Sequence, residues 1–270
     1  MSARRVLWIN VSEKHQMKHI SSRDNLVYKE LFGLANDRRA RRQSGLTLLD
    51  GPHLIQAGMD AGVAFQRLIF SESAVHGELA DWSTRLPNTP AWVLTDTLFK
   101  TLSPVESPVG MLAVIDIPCT ERAVLECIVL LENIQDPGNL GAIFRVAAAA
   151  GADAVYLSSG CCEAWSPKCL RGGQGAHFQL AIHENVDLPV LVKAFDAPVF
   201  AASLGASKAL FDLDLRGRVG FSFGNEGAGL SAQLCAAAQP FIIPMPGKVE
   251  SLNVATAAAV CLFERVRQRR

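Results

Sequence analysis

Apolar residues between positions 126 and 264 fall into short runs separated by turn-rich stretches and by segments with helical spacing. The runs at 128–132, 154–158, 177–181, 198–202, 218–223 and 240–243 predict strands, most of them followed by a helix. Such alternation predicts an α/β domain with a mainly parallel sheet and helices on both faces. The helix predicted over 140–150 gathers Leu140, Ile143, Phe144, Ala147 and Ala150 on one face and turns Arg145 nearly opposite. The last helix buries Val254, Ala257, Ala258, Cys261 and Leu262, and its small residues permit close approach of another helix.

Upstream, residues 1–20 show neither period and predict an arm. Leu26, Leu31 and Leu34 with Tyr28 and Phe32 predict a short helix running into Asp37-Arg-Arg-Ala-Arg-Arg42. Strands follow at 46–49, 65–70, 91–94 and 110–115, with a helix opened by Asp50-Gly-Pro52, a short element at 75–79 and a helix at 96–102. Residues 117–120 look like a linker. The expected organisation is an arm (1–24), a small α/β domain (25–118) and a larger α/β domain (119–270).

Composition narrows the class. With 49% hydrophobic and 19% charged residues and no apolar run of about 18, the chain predicts no membrane span, and the polar N-terminus is not a secretory signal, so a cytoplasmic protein is expected. Seven cysteines without a Cys-x-x-Cys pair predict reduced thiols and no metal site. Charge is uneven: residues 1–45 carry ten Lys/Arg against four Asp/Glu, a net +6 that leaves −6 on the remainder of a neutral chain. That asymmetry suggests a polyanionic partner, with Arg38, Arg39, Arg41 and Arg42 either gripping phosphates or forming a solvated helix face.

Three loops at the predicted C-terminal edge of the sheet hold the candidate chemistry. Asp136-Pro-Gly138 must turn, and Asn139 suits a helix cap; Arg145 is a solvated arginine or a phosphate or hydroxyl contact. Gly224, Gly227 and Gly229 let backbone approach a ligand or merely shape a turn, and Glu226 in their midst would repel a pyrophosphate, which argues against a dinucleotide oxidoreductase. In the third loop Pro244 and Pro246 stiffen the chain, and Ser251 is a candidate N-cap beside Asn253.

The order N-x-G-x-x-x-R (Asn139 to Arg145), F-G-N-E-G-x-G-L (Phe223 to Leu230) and I-P-M…S-L-N-V (Ile243 to Val254) resembles the three motifs of the SpoU, or TrmH, family of RNA 2′-O-ribose methyltransferases. Asp50-Gly-Pro-His53 and the stretch from Leu94 through Leu102 to Ser107-Pro-Val-Gly110 resemble that family's ribosomal-protein-like substrate-binding domain. The resemblance implies S-adenosylmethionine as cofactor, a SPOUT domain with a C-terminal trefoil knot, and a homodimer. It implies cofactor contacts at Gly224, Asn225, Gly229, Ile243, Met245 and Leu252, and a reacting site of Arg145, Asn139, Ser251, Asn253 and Glu226. Arg171-Gly-Gly-Gln-Gly-Ala-His177 departs from the family's Ala/Ser-rich segment, and Arg171 is either an RNA contact, with Gln174, or an incidental arginine in a turn. The implied substrate is ribosomal RNA, with transfer RNA or a non-catalytic RNA-binding protein on the same fold as alternatives.

Overall fold

The computed structural model describes residues 17–75, 81–119 and 122–270, so most of the arm and of the 75–79 element lie outside the described residues. Two compact units emerge, one comprising residues up to Ile55 with Val63–Asp116, the other Gln56–Gly62 with Ile117–Arg270. The first runs β1 (Lys18–Ile20), α1 (Leu26–Asn36), α2 (Arg38–Ser44), β2 (Leu46–Asp50), the first turn of α3 (Pro52–Asp60), β3 (Phe65–Ser71), α4 (Trp82–Arg85), β4 (Ala91–Leu94), α5 (Asp96–Lys100) and β5 (Met111–Asp116). Its sheet has the order β1-β4-β3-β5-β2, with β5 antiparallel to both neighbours.

Two expectations need correcting here. Residues 18–20 are a strand, not an arm: they pair in parallel with β4 and bury Ile20 in the core. Three residues are too few to show a period. The helix predicted from Leu26 into the arginine run is two helices, because Asp37 sits in an extended conformation, ends α1 and caps α2 by accepting from Arg39 N at 2.7 Å. This break turns Arg41 inward. Its side chain is buried and its guanidinium donates to Leu34 O, so Arg41 belongs to the fold and not to an RNA-facing cluster; Arg39 and Arg42 are exposed and Arg38 half-buried.

The second unit runs β6 (Cys127–Leu131), α6 (Pro137–Ala149), β7 (Ala154–Leu157), α7 (Pro167–Gly173), β8 (Ala181–His183), α8 (Leu188–Ala194), β9 (Val199–Ala202), β10 (Val219–Phe223), α9 (Ala232–Ala237), β11 (Gln239–Phe241) and α10 (Val254–Gln268). Its six strands, ordered β11-β9-β10-β6-β7-β8, are parallel throughout. The central strands β6 and β10 are buried along their length, as expected where helices cover both faces. The chain steps outward from β6 through β7 to β8, then crosses to β9 on the other side. Ligands of open parallel sheets bind near such a reversal, beyond the strands' C-terminal ends.

Helix α10 spans the sheet, about 22 Å at 1.5 Å per residue. Its far end is anchored at the opposite edge: the buried Arg265 donates through Nη2 to Glu126 O and Gly217 O at 3.2 and 3.4 Å, and Gln268 bonds Leu213 and Leu215. With that end fixed, its first turn is held beside the C-terminal ends of β6 and β10. Helix α6 lies against both α10 and α7. The α6–α7 seam depends on Gly141, where an added Cβ would fall 2.5 Å from Cys169 O.

The strand expected at 177–181 is instead a 3-10 turn (Ala176–Phe178) followed by β8. Gln174 and Gly175 both have positive φ, which swings His177 inward. There Nε2 donates to Ala164 O at 2.8 Å and the ring packs edge-on to Phe144 at 4.8 Å, while Nδ1 has no partner. Burial pushes the imidazole down to about 4, so it is neutral when folded. The unfolded chain takes up a proton below about pH 6.5 that the folded chain refuses. This contribution to stability is therefore complete above that pH and is lost as pH falls toward the folded value, by on the order of 3 kcal/mol. Urea unfolding should show it as a steep loss between pH 6.5 and 4.5, and His177→Phe should flatten that slope whatever it does to stability at neutral pH.

Among the described residues no helix is long and apolar enough to cross a membrane, and no group of three or more His, Cys, Asp or Glu could hold a metal. All seven cysteines are free thiols.

Candidate active site

Beyond Phe223 the chain leaves β10 and folds back on itself. Asn225 directs the turn: its Oδ1 accepts from Gly227 N and Ala228 N at 2.9 and 3.1 Å, and its Nδ2 donates to Asn133 O at 3.0 Å, tying the loop to the one after β6. Gly224 lies so close to the returning backbone that a Cβ would sit 2.2 Å from the carbonyl carbon of Gly229. The loop ends at Ser231, whose N and Oγ both donate to the buried Glu132 carboxylate, at 2.6 and 2.8 Å, while Oγ caps α9.

Helix α6 begins one residue after Asp136, which accepts from Asn139 N at 2.7 Å with Pro137 at the first helical position. Asp136, not Asn139, is thus the cap, leaving the Asn139 side chain free. A second correction follows at α10, where Asn253 and not Ser251 is the cap, accepting from Ala255 N and Thr256 N at 2.9 and 3.3 Å. With its oxygen committed to the helix, Asn253 presents Nδ2 to Asn139 Oδ1 at 3.0 Å. Asn139 in turn donates Nδ2 to Glu226 Oε1 at 2.6 Å. The three side chains form a one-way chain of donors from the start of α10 to the carboxylate, and flipping either amide would break it.

Beside this chain, across the C-terminal ends of β9, β10 and β11, opens a cleft of about 510 Å³, a size suited to a small-molecule ligand. Gly224, Asn225, Glu226, Gly229, Ile243, Met245, Ser251 and Leu252 all border it. Asn139 and Asn253 stand outside its lining and reach it through Glu226. Arg145 does not border it: exposed on α6, it makes no hydrogen bond or ion pair with other described residues. Arg171 is exposed on the last turn of α7.

Among the described residues the lining carries two carboxylates, Glu226 and Glu250, and no lysine, arginine or histidine. Its charged side chains would repel a ligand bearing phosphates. Backbone groups, small apolar walls and two anions instead fit an uncharged nucleoside attached to a cationic group. Cys235 contributes a neutral wall, its thiol pushed up by burial and then by Glu132. Sequence reasoning missed Glu132 and the 202–205 segment that forms the wall beyond β9. The available signal for the latter was position, since 202–205 follows a parallel strand at the edge where the other loops lie.

A family model described as the SpoU rRNA methylase family matches residues 126–263, and one for the MRM3-like substrate binding domain matches residues 29–113. The chain is similar to the 23S rRNA (guanosine(2553)-2′-O)-methyltransferase RlmP of Bacillus subtilis, at 30% identity over 92% of this chain and 98% of that protein. It is 38% identical to the 23S rRNA (guanosine-2′-O-)-methyltransferase RlmB of Xylella fastidiosa over 53% of this chain and 59% of that protein. Among solved structures, the SpoU methyltransferase AviRb of Streptomyces viridochromogenes in complex with AdoMet superposes with a TM-score of 0.83 at 26% identity, covering 91% of this chain and 98% of that one. An AdoMet-bound rRNA methyltransferase from Sinorhizobium meliloti gives 0.80 at 25% identity over 93% and 98%.

Proposed function

The chain belongs to the SpoU rRNA methylase family, and from that membership we propose that it transfers a methyl group from S-adenosylmethionine to a ribose 2′-hydroxyl of ribosomal RNA. The observation that carries the reading is the cleft itself: the second and third sequence motifs line a pocket with no cationic side chain among the described residues, and the first is hydrogen-bonded to its carboxylate. Gly224, Ile243 and Leu252 hold the cofactor through backbone groups, with Asn225, Gly229 and Met245 shaping the walls.

S-adenosylmethionine supplies an electrophilic methyl group on a sulfonium. The chain's own residues have to align a weak nucleophile with it and favour the charge that develops on the 2′-oxygen as its proton leaves to water. The Asn253–Asn139–Glu226 chain fixes one side of that geometry, with Ser251 at the cleft wall. Arg145, always protonated, polarises the hydroxyl or grips its phosphate and does not act as a base. Transfer of radiolabel from S-adenosylmethionine to ribosomal RNA, and its loss when the target nucleotide is 2′-deoxy, tests the proposal. Labelling of transfer RNA alone would reassign the substrate, and no labelling of any RNA would leave a binding protein on this fold.

A homodimer accompanies this reading. Phe263 is 48% exposed on α10, one turn after the half-buried Ala259 and Val260, an apolar strip on which a second copy can seat. The trefoil knot and the division into an RNA-binding unit and a methyltransferase unit belong to the same proposal. In the first unit Arg39 and Arg42, with Arg38 beside them, are the arginines left to meet phosphates. Changing Arg39 and Arg42 to Gln should weaken RNA binding and lower the slope of log K against log salt by about 2, with S-adenosylmethionine affinity unchanged. Filter binding across a salt series reads it, and an unaltered slope would return the pair to plain solvation.

A further inference from the structure

We propose that Glu250 makes the cleft select its ligand by charge, favouring the methyl donor over the demethylated product; the inference rests on the function proposed above. Among the described residues the lining holds two carboxylates and no cationic side chain. Glu226 is engaged by Asn139, whereas Glu250 makes no hydrogen bond or ion pair with other described residues, so its charge is unspent within the protein. Lys248, two residues earlier, does not border the cleft.

Donor and product share the adenosine, the amino group and the carboxylate, and differ in one formal charge. The sulfonium of S-adenosylmethionine is a permanent cation and the thioether of S-adenosylhomocysteine is neutral. An uncompensated anion in the cleft wall stabilises the first and is indifferent to the second. Once the methyl has left, the attraction disappears with the charge, and the product loses what held the donor more tightly. Glu250 is exposed at the cleft, and an exposed carboxylate facing a unit charge across about 4 Å is worth about three- to tenfold in affinity.

Titration calorimetry on the full chain tests this with three probes: S-adenosylmethionine, S-adenosylhomocysteine, and sinefungin, which carries an amine in place of the methylsulfonium. Glu250→Gln should weaken the donor and sinefungin about three- to tenfold and leave the product within about twofold, whereas Glu250→Asp should keep most of the preference. Added salt should likewise weaken the donor more than the product in the native protein, and less so in the Gln variant. Equal weakening of all three probes would overturn the inference, because Glu250 would then be reading the shared amino group or supporting the loop. An unchanged donor affinity would overturn it too. Both failures leave the proposed function standing; native protein that binds none of the three removes the function and the inference together.

Discussion

Replacing Gly224 with alanine should abolish cofactor binding, raising the S-adenosylmethionine Kd by about 100-fold or more, the equivalent of about 3 kcal/mol. The atoms that an added Cβ would meet are the carbonyl carbon and oxygen of Gly229 and the nitrogen of Leu230, at 2.2, 2.3 and 2.4 Å. All belong to the backbone, so no side-chain rotation relieves the overlap. The loop has to open. Opening it separates Asn225 from Asn133 and pulls Ser231 from the buried Glu132 carboxylate, so the wall of the cleft is lost along with its anchor. The neighbouring glycines calibrate the effect. At Gly227 a Cβ would lie 3.5 Å from Asn225 Oδ1, an ordinary contact, and alanine there should bind nearly as well as glycine. Gly229 has room for a Cβ but a φ of +68°, so alanine should cost about 1 kcal/mol through backbone strain alone. Calorimetry with S-adenosylmethionine should therefore rank the variants Gly227→Ala, Gly229→Ala, Gly224→Ala in rising Kd. A Gly224→Ala protein with near-native affinity would show that the loop is not the cofactor's cradle.

That gradient also marks how far the chain could be read without its structure. Glycines in a strand-to-helix loop announced a close approach, but only the folded loop reveals that Gly224 needs the room for Gly229's backbone and not for a ligand. The sheet was legible because buried parallel strands write themselves as apolar runs; β6, β7, β9 and β10 lie within a residue of where those runs predict them. Caps were harder. Ser and Asn rank alike as N-caps, so propensity could not choose between Ser251 and Asn253. Pro137, by contrast, pointed to Asp136 through its preference for the first helical position, a signal that Asn139 overshadowed. The two corrections share a consequence. With Asp136 capping α6, Asn139 is released, and with Asn253 capping α10, its amide is aimed at Asn139, so the polar chain to Glu226 exists because the caps fall where they do. Arg41 shows the opposite limit: it looked like surface chemistry in sequence, and a position fixed by Asp37 buried it, while the positive-φ pair Gln174–Gly175 buried His177 in a turn where the apolar run had predicted a strand. Partners distant in sequence, such as Glu132 with Ser231, had no local pattern to betray them.

Arg145→Ala should reduce kcat for methyl transfer by about 100- to 1,000-fold, the usual cost of removing one group that stabilises developing charge. The proposed cofactor cleft has carboxylates and no cation among its described lining residues, so whatever favours negative charge on the 2′-oxygen has to come from outside that lining. Arg145 lies on the helix that carries Asn139, six residues and about 9 Å of rise further along, exposed and without a hydrogen bond or ion pair to other described residues. The variant should therefore keep its thermal midpoint and its S-adenosylmethionine Kd while losing turnover, a combination that a structural arginine would not produce. Arg145→Lys should recover only part of the rate, since an ammonium supplies charge without the planar fork. The distance from the cleft gives a second experiment. If the proposed dimer lets each Arg145 serve its partner's cleft, mixing inactive Arg145→Ala with inactive Gly224→Ala should rebuild one working site per mixed dimer and restore activity. An arginine that serves its own cleft would leave the mixture dead. Turnover by Arg145→Ala within about threefold of the native rate would remove the arginine from the reaction and return the charge on the 2′-oxygen to another group.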